Sequence, residues 1–317
     1  MRRTSAHATP PAPPTSSDRA SRARTRSFLP IRRILCPVDF SEFSGAAVGR
    51  AAGLAQALRA EIIGLFVLPP LFRAEGRTSP GSAPEGSGVG VRSALTEDLH
   101  ELFRPARDAR VSVRARIRTG ECVGQIVGEA RDTKSGLIVM GTHGRSGFQR
   151  LVLGSVTEGV LRRAPCPVLT MPHSMGRRAA RGRVPGWIMC AVDLSARSVH
   201  AASYALSLAR SLGSSVSLIH VLDGLGGPRM RARWQADAGQ RLHEVALADG
   251  PPGCPVEEVV GRGRPHQVIL RAAKVRHADL IVLGSDDQRL GSTVTRVLRA
   301  GAFPVLVVRP SSAGRKR

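Results

Sequence analysis

Short apolar runs alternate with amphipathic stretches along most of the chain, and the same order occurs twice. Residues 34 to 39 read Ile-Leu-Cys-Pro-Val-Asp, and residues 188 to 193 read Ile-Met-Cys-Ala-Val-Asp. Each run is followed by alanines and leucines at helical spacing and then by a second apolar run, Ile62 to Leu68 or Val216 to Leu222. Strands and helices that alternate in this way favour parallel pairing with right-handed crossovers. The pattern predicts an α/β fold, a doubly wound parallel sheet, made twice.

The later parts of the two copies also correspond. A helix near Ser93 to Phe103 and a strand near Val111 to Ile117 are matched by a helix at 231–248 and a strand at 256–260. Leu137-Ile-Val-Met-Gly141 is matched by Leu280-Ile-Val-Leu-Gly284, and each is followed by a helix and a last strand. We therefore expect domains at 31–172 and 186–310, a linker at 173–185, a disordered tail rich in Arg, Ser and Pro at 1–30, and a basic tail at 311–317. Residues 77–90, rich in Gly, Ser and Pro, predict an insertion loop.

The chain is strongly basic, with 47 Lys and Arg against 24 Asp and Glu and a net charge of +23. More than half of this excess lies outside the predicted domains: eight Arg and one Asp in residues 1–33, four Arg in 173–186 and three cations in 315–317. Only three of the cations are lysines, and this bias towards arginine favours a GC-rich coding sequence as its explanation over a phosphate-binding surface. Aromatic residues make up 3 %, so stacking platforms for single strands are not visible. The composition disfavours nucleic-acid binding by the folded domains.

The spacing of the cysteines and the hydropathy of the chain bear on the cellular compartment in which the protein is expected. Five widely spaced cysteines without a C-x-x-C pair give no zinc spacing and favour reduced, buried thiols. No apolar run approaches the roughly 18 residues of a membrane span, and the N-terminus lacks the hydrophobic core of a secretory signal. We expect a cytoplasmic protein, although an Arg/Ser-rich, acidic-poor start is also typical of a transit peptide.

One glycine-rich loop carries the candidate chemistry. It begins with Gly141-x-x-Gly144 after a buried strand and, nine residues later, ends with Gly154-Ser155 at the start of a helix. Glycines allow a ligand to approach the backbone, and the N–H groups of a helix start suit phosphate oxygens. Asp39 ends another strand that should border the same crevice, where open α/β sheets bind ligands. The spacing predicts a nucleotide site.

Each of these features also has a purely structural interpretation. A glycine-rich loop after a strand is often a tight turn, and a serine at a helix start is usually a cap. Asp39 is equally suited to cap the helix that opens near Ser44, and His143 is more often a solvated loop residue than a catalytic base. A ligand site is favoured because all of them fall at the carboxyl ends of strands of one unit.

At these residues the chain resembles a known family. The glycine pattern, together with Pro-Val-Asp at 37–39 and Pro-Cys-Pro-Val at 165–168, resembles the universal stress protein family. The resemblance covers 31–172 and 186–310 and so indicates a tandem member. It implies an adenine nucleotide alpha hydrolase-like fold with strand order 3-2-1-4-5, and ATP in the crevice.

The resemblance also implies roles for single residues. Asp39, with Pro37 and Val38, is expected beside the adenosine, and the backbone of Val67 at the adenine edge. Eight further residues are expected along the ribose and phosphates: Met140, Gly141, His143 and Gly144 in the loop, and Gly154, Ser155, Val156 and Thr157 at the helix start. The loop is not a Walker A motif, because no Gly-Lys-Ser/Thr follows. A divalent ion such as Mg²⁺ bridging the phosphates is compatible with this site, but no carboxylate cluster demands one.

The second copy departs from this pattern. Asp286 and Asp287 follow Gly284 and Ser285, and Gly291 lies only four positions after Asp287, against ten positions from Gly144 to Gly154 in the first copy. Six residues of phosphate loop are missing, and two carboxylates stand where phosphate oxygens would need donors. We expect the second half to keep its core and to lose nucleotide binding, even though Asp193 remains.

These observations favour a non-enzymatic binding module of the stress response, with ATP in the first half and an unidentified protein partner. The family resemblance implies that the last strand mediates pairing between units, and the strands at 168–171 and 305–308 are candidate edges. The halves are therefore expected to pack as an intrachain pseudo-dimer; association into a homodimer is left open. A slow ATP hydrolase or phosphoryl-transfer enzyme that uses His143 is an alternative, although the loop has no acid to position water and no lysine to reach the phosphates. Nucleic-acid binding by the Arg-rich tail is a third.

Overall fold

The structure is a computed structural model that describes residues 31–69, 87–142, 153–172, 183–223, 228–286 and 290–310. The predicted tails at 1–30 and 311–317 and most of the predicted linker lie outside the described residues. His143, Gly144 and Asp287 lie outside them as well.

The first half contains five strands and five helices among its described residues. The strands are β1 (Arg33–Val38), β2 (Glu61–Leu68), β3 (Val113–Thr119), β4 (Leu137–Gly141) and β5 (Val168–Met171). The helices are α1 (Glu42–Leu58), α2 (Ser87–Leu102), α3 (Arg104–Asp108), α4 (Cys122–Asp132) and α5 (Ser155–Arg163). The prediction of an insertion loop at 77–90 is wrong for residues 87–90, which are helical because α2 begins at Ser87. The rest of that segment, residues 77–86, lies outside the described residues.

The second half repeats this order, with no counterpart of α3 among its described residues. Its strands are β6 (Trp187–Ala191), β7 (Ser215–Leu222), β8 (Val256–Arg262), β9 (Leu280–Gly284) and β10 (Val305–Val308). Its helices are α6 (Ala196–Leu212), α7 (Pro228–Leu247), α8 (Pro265–Val275) and α9 (Ser292–Ala300).

All ten strands form one sheet, in the order β3-β2-β1-β4-β5-β10-β9-β6-β7-β8. Within each half the pairing is parallel and the order is 3-2-1-4-5, so the predicted fold class is confirmed. The halves meet where β10 pairs with β5 antiparallel, Val305 opposite Thr170. The fully buried hydroxyl of Thr170 donates to the carbonyl oxygen of Val305 across 3.1 Å. The last strands therefore join the halves.

Most of the inner strands read as apolar runs because helices cover both faces of the sheet, whereas the outer strands β3 and β8 carry charged residues. One face packs against α1, α2, α3, α6 and α7, and the other against α4, α5, α8 and α9. Each of the two cores contains residues of both halves: Ile34 and Val308 share one, and Leu35 and Val307 share the other. The duplicated units therefore share continuous cores.

Two chemical features complete the fold. All five cysteines are free, Cys36 and Cys190 are buried, and burial raises the pKa of Cys190 and of Cys166 to about 12. Within the described part of the chain, no helix is long and apolar enough to cross a bilayer.

Candidate functional site

A cavity of about 190 Å³ lies in the first half, at the carboxyl ends of β1, β2 and β4 and beside the N-terminus of α5. Parallel α/β sheets bind ligands at this edge. Ten of the residues that the sequence singled out line it: Pro37, Val38, Asp39, Val67, Met140, Gly141, Gly154, Ser155, Val156 and Thr157. The structure thus brings together every one of these residues that it describes.

The Asp39 carboxylate is fixed at the turn between β1 and α1. Its Oδ1 accepts hydrogen bonds from the backbone N–H of Ser41 (3.0 Å) and from the hydroxyls of Ser41 (2.6 Å) and Ser44 (2.7 Å). The N–H of Asp39 donates to the Ser44 hydroxyl, and Phe40 has a left-handed backbone with φ of 60°. Asp39 therefore organises the turn that leads into α1, whose N-cap is Ser41, and also lines the cavity.

The N-terminus of α5 is tied to the end of β4. Gly154, the N-cap, donates its N–H to the carbonyl oxygen of Thr142 across 3.0 Å, and the Thr157 hydroxyl donates to the carbonyl oxygen of Gly141 across 3.0 Å. The N–H groups of a first helical turn have no acceptor within the helix. Those of Ser155 and Val156 lie at the cavity, where they and the helix dipole favour an anion.

Pro37 shapes the crevice between β1 and β4. The carbonyl oxygen of Arg33 accepts a hydrogen bond from the N–H of Gly136, next to β4, so the backbone polar groups of Arg33 point towards β4. Backbone groups of every second residue along a strand point the same way, so the backbone nitrogen of Pro37 also points towards β4. A proline has no N–H to donate there. Pairing of β1 with β4 accordingly spans two residue pairs, the last between Leu35 and Ile138, whereas β6 and β9 pair over four. The hydrogen-bonded ladder between the two central strands therefore ends early, and Pro37, just beyond its end, lines the cavity.

Five further residues line the cavity without having been predicted: Ser44, Leu65, Phe66, Cys122 and Ile126. The ring of Phe66 lies 4.8 Å from that of Phe40. Cys122 and Ile126 lie one helical turn apart on α4, so their spacing in the sequence could have indicated that they share one face of the helix. They were missed because only the packing of α4 over the sheet places that helix face against β2 and β4.

The second half has a smaller counterpart cavity of about 130 Å³. Its lining residues occupy the same places in the repeat: Ala191, Val192, Asp193, Ser198, Ile219, Val221, Pro265, Ile269, Leu283, Gly284, Thr293 and Val294. Ala191 stands where the first half has Pro37, and β6 and β9 remain paired up to Ala191 and Leu283. The hydrogen-bonded ladder between the central strands is thus longer here than in the first half.

An ion cluster lies beside this second cavity. The guanidinium of Arg197 pairs with the carboxylate of Asp286 and lies 3.4 Å from that of Asp193. Burial opposes ionisation of Asp193, but hydrogen bonds from Ser195 and Ser198 and the charge of Arg197 outweigh it and lower the pKa to about 2. Of the two carboxylates that stand where phosphate oxygens would need donors, that of Asp286 is paired with Arg197; Asp287 lies outside the described residues.

The described residues contain no group of three or more His, Cys, Asp or Glu side chains that could hold a metal ion. Asp39 is the one carboxylate among the residues that line the first cavity in this part of the chain, and its Oδ1 already accepts three hydrogen bonds.

Comparison with known proteins agrees with this architecture. A sequence model of the universal stress protein family matches residues 30–172 and again residues 187–309. The chain belongs to the universal stress protein family. Two matches in one chain confirm that this universal stress protein is a tandem member.

Individual relatives extend the same result. A universal stress protein of Mycolicibacterium smegmatis is 28 % identical over 299 residues, which are 87 % of this chain and 97 % of the relative. One of Methanocaldococcus jannaschii is 32 % identical over 146 residues, 44 % of this chain and 81 % of the relative. The crystal structure of a universal stress protein from Archaeoglobus fulgidus superposes with a TM-score of 0.67 at 25 % identity, covering 89 % of this chain and 97 % of that one. The tandem architecture is thus similar in a relative of known structure.

Proposed function

We propose that this universal stress protein is an ATP-binding regulatory module, with one nucleotide held in the first half and the second half in a supporting role. The observation that carries the proposal is the cavity at the carboxyl ends of β1 and β4, into which the N-terminus of α5 opens. Apolar walls and a helix start suit the two parts of a nucleotide, a flat base and an anionic chain.

The two parts of the cavity differ in chemistry. Leu65, Phe66 and Val67 of β2 and Ile126 of α4 supply an apolar wall that suits the adenine ring. The first turn of α5, from Ser155, supplies backbone N–H groups for phosphate oxygens. We place the adenosine beside Asp39 and the wall, and the phosphates at α5. His143 and Gly144 complete the proposed phosphate loop.

Mg²⁺ has no protein ligand set in this proposal. Mg²⁺ prefers octahedral oxygen coordination and commonly keeps several waters beside substrate phosphates. With Oδ1 of Asp39 already engaged by Ser41 and Ser44, the ion accompanying ATP would be held by phosphate oxygens and water.

The second half is proposed not to bind nucleotide. Its cavity is smaller, and Arg197 is held by Asp193 and Asp286 rather than being free for a phosphate. Together these three side chains carry one net negative charge, which disfavours an anion. Its role is then to bury β5 and to support the first half.

We propose that the function is nucleotide binding rather than turnover. Among the described side chains of the cavity, only Asp39 could act as a general base for water, and its Oδ1 already accepts hydrogen bonds from Ser41 and Ser44. A change in the bound nucleotide would alter a contact with a protein partner. In the competing hypothesis, His143 takes part in hydrolysis; multiple turnovers per second, lost in His143→Ala, would establish it instead.

The test is isothermal titration calorimetry of the full chain with ATP, ADP, AMP and cyclic AMP, comparing Gly154→Leu with Gly291→Leu. The two glycines are the matching N-caps of α5 and α9, with φ of −58° and −59°, so leucine meets no left-handed strain at either. We expect one ATP per chain, strong weakening by Gly154→Leu, and little change from Gly291→Leu or from Asp287→Ala.

Either of two outcomes would overturn the proposal: no nucleotide binding, or two sites per chain. Equal weakening by both leucine variants would also contradict it, because only the N-terminus of α5 is proposed to hold phosphates. The nucleotide that copurifies with the protein, measured by mass spectrometry after denaturation, identifies the ligand independently.

A further inference from the structure

A side chain of the second half binds the far end of the helix that lines the first cavity. Arg309 follows β10, and its Nη1 donates to the carbonyl oxygen of Leu161 across 3.3 Å and to that of Arg162. Both carbonyls belong to the last turn of α5, about 150 residues away in the sequence. The contact crosses the junction between the halves.

The end of α5 needs such a partner because of its sequence. The last carbonyls of a helix lack N–H donors, and a residue in left-handed conformation commonly turns the chain back to supply them. The matching helix α9 ends in this way at Gly301, with φ of 58° and an N–H bonded to the Leu298 carbonyl. In α5 the corresponding residue is Ala164, followed by Pro165, and it is extended, with φ of −61° and ψ of 139°.

The arginine therefore does for α5 what the glycine does for α9. Its positive charge also complements the negative end of the helix dipole. In the first half, Pro172 occupies the position that matches Arg309, and it carries no side-chain donor for the end of α9. The contact of Arg309 thus serves α5, the helix that follows the complete glycine loop.

Anchoring the end of α5 also fixes its beginning. The helix has nine residues and is about 13 Å long, at roughly 1.5 Å per residue, so it moves as one rod. Val160 and Leu161 pack in the core, while Ser155 and Val156 line the cavity. A tilt at the Arg309 end would displace the N–H groups proposed to hold phosphates.

We propose that Arg309 is a positioning residue for the nucleotide site of the first half, supplied across the junction by the second half. The expected effect of Arg309 on nucleotide affinity rests on the proposed function. Its structural part, the anchoring of α5, can be measured without any ligand. It gives the second half a defined task, which is to hold the phosphate-binding helix in place.

The experiment compares the wild-type full chain with Arg309→Ala, Arg309→Lys and a control, Arg299→Ala, an exposed arginine of α9. Hydrogen exchange of residues 155–163 is measured first without nucleotide. We expect faster exchange along the whole of α5 in Arg309→Ala, a smaller change in Arg309→Lys, and none in Arg299→Ala. Exchange in α5 that matches the wild type in Arg309→Ala would overturn the inference whatever the ligand turns out to be.

Calorimetry with ATP and with adenosine then tests positioning. Arg309→Ala should weaken ATP about three- to tenfold, the range of a helix-terminus charge and its hydrogen bonds, and leave adenosine unchanged because adenosine has no phosphates. A residue that merely stabilises the fold would lower the melting temperature and leave both affinities alone. A wild-type chain that shows no ATP binding refutes the proposed function, while the exchange result still decides whether Arg309 anchors α5.

Discussion

The hydroxyl of Thr157 donates a hydrogen bond to the carbonyl oxygen of Gly141 across 3.0 Å. Thr157 lies in the first turn of α5 and Gly141 ends β4, so one contact joins the two elements that flank the proposed phosphate site. Together with the Gly154 to Thr142 hydrogen bond, it fixes the helix start against the sheet. The geometry of the site is therefore set by short contacts within the first half, and by Arg309 from the second.

The substitution Thr157→Val tests this contact. Valine has nearly the same shape but no hydroxyl, and Thr157 is 3 % exposed, so water does not readily replace the lost donor. We expect the free energy of unfolding to fall by about 1 kcal/mol, together with weaker ATP binding. Chemical denaturation and calorimetry measure the two effects. Thr157→Ser is the control, because serine keeps the hydroxyl, and an ATP affinity that valine leaves unchanged would show that the contact does not position α5.

The substitution Pro37→Ala tests the origin of the cavity. Alanine supplies the N–H that proline lacks, and the second half shows the result at Ala191, where β6 and β9 stay paired. We expect the pairing of β1 with β4 to lengthen, the crevice to narrow and ATP to bind more weakly, without loss of stability. Calorimetry measures the ATP affinity, and thermal unfolding measures the stability.

The reverse change, Ala191→Pro, is the matched experiment in the second half. It should shorten the pairing of β6 with β9 and lower the melting temperature through the lost ladder hydrogen bond. An ATP affinity that rises or stays constant in Pro37→Ala would refute the idea that proline opens the crevice.

The Asp193 carboxylate predicts a pH dependence of stability. Its pKa of about 2 in the folded protein lies below the usual 3.8, so folding favours the ionised form. The stabilisation is present above pH 3.8 and is lost as the pH falls from there towards 2. Thermal unfolding between these values should show a smaller acid-induced drop in Asp193→Asn than in the wild type.

Asp98→Asn serves as the control for this pH series, because Asp98 is an exposed aspartate on α2. It should keep the wild-type pH profile. A profile in Asp193→Asn that follows the wild type through the acid range would mean that the Ser195, Ser198 and Arg197 contacts do not hold the ionised carboxylate.

Much of the fold and of the candidate site could be predicted from local sequence patterns. The period of apolar residues gives the order of strands and helices, and the strand ends place Asp39 and Gly141 at the same edge of the sheet. Side chains such as Phe66 and Ile126 were not predicted to line the cavity, because their orientation depends on which helix packs over which strand.

The sequence alone determined the duplication, the family resemblance and the difference between the two glycine loops, since each is a matter of residue type and spacing along the chain. Only the tertiary structure decided the long-range side-chain contacts within the second half and between the two halves. Arg197 meets Asp286 across 89 positions, and Arg309 meets Leu161 across 148. These pairs follow from the antiparallel joining of β5 to β10 and from the folding of the second crevice. Nothing in a local pattern specifies them, because a long side chain finds its partner only after distant strands have paired.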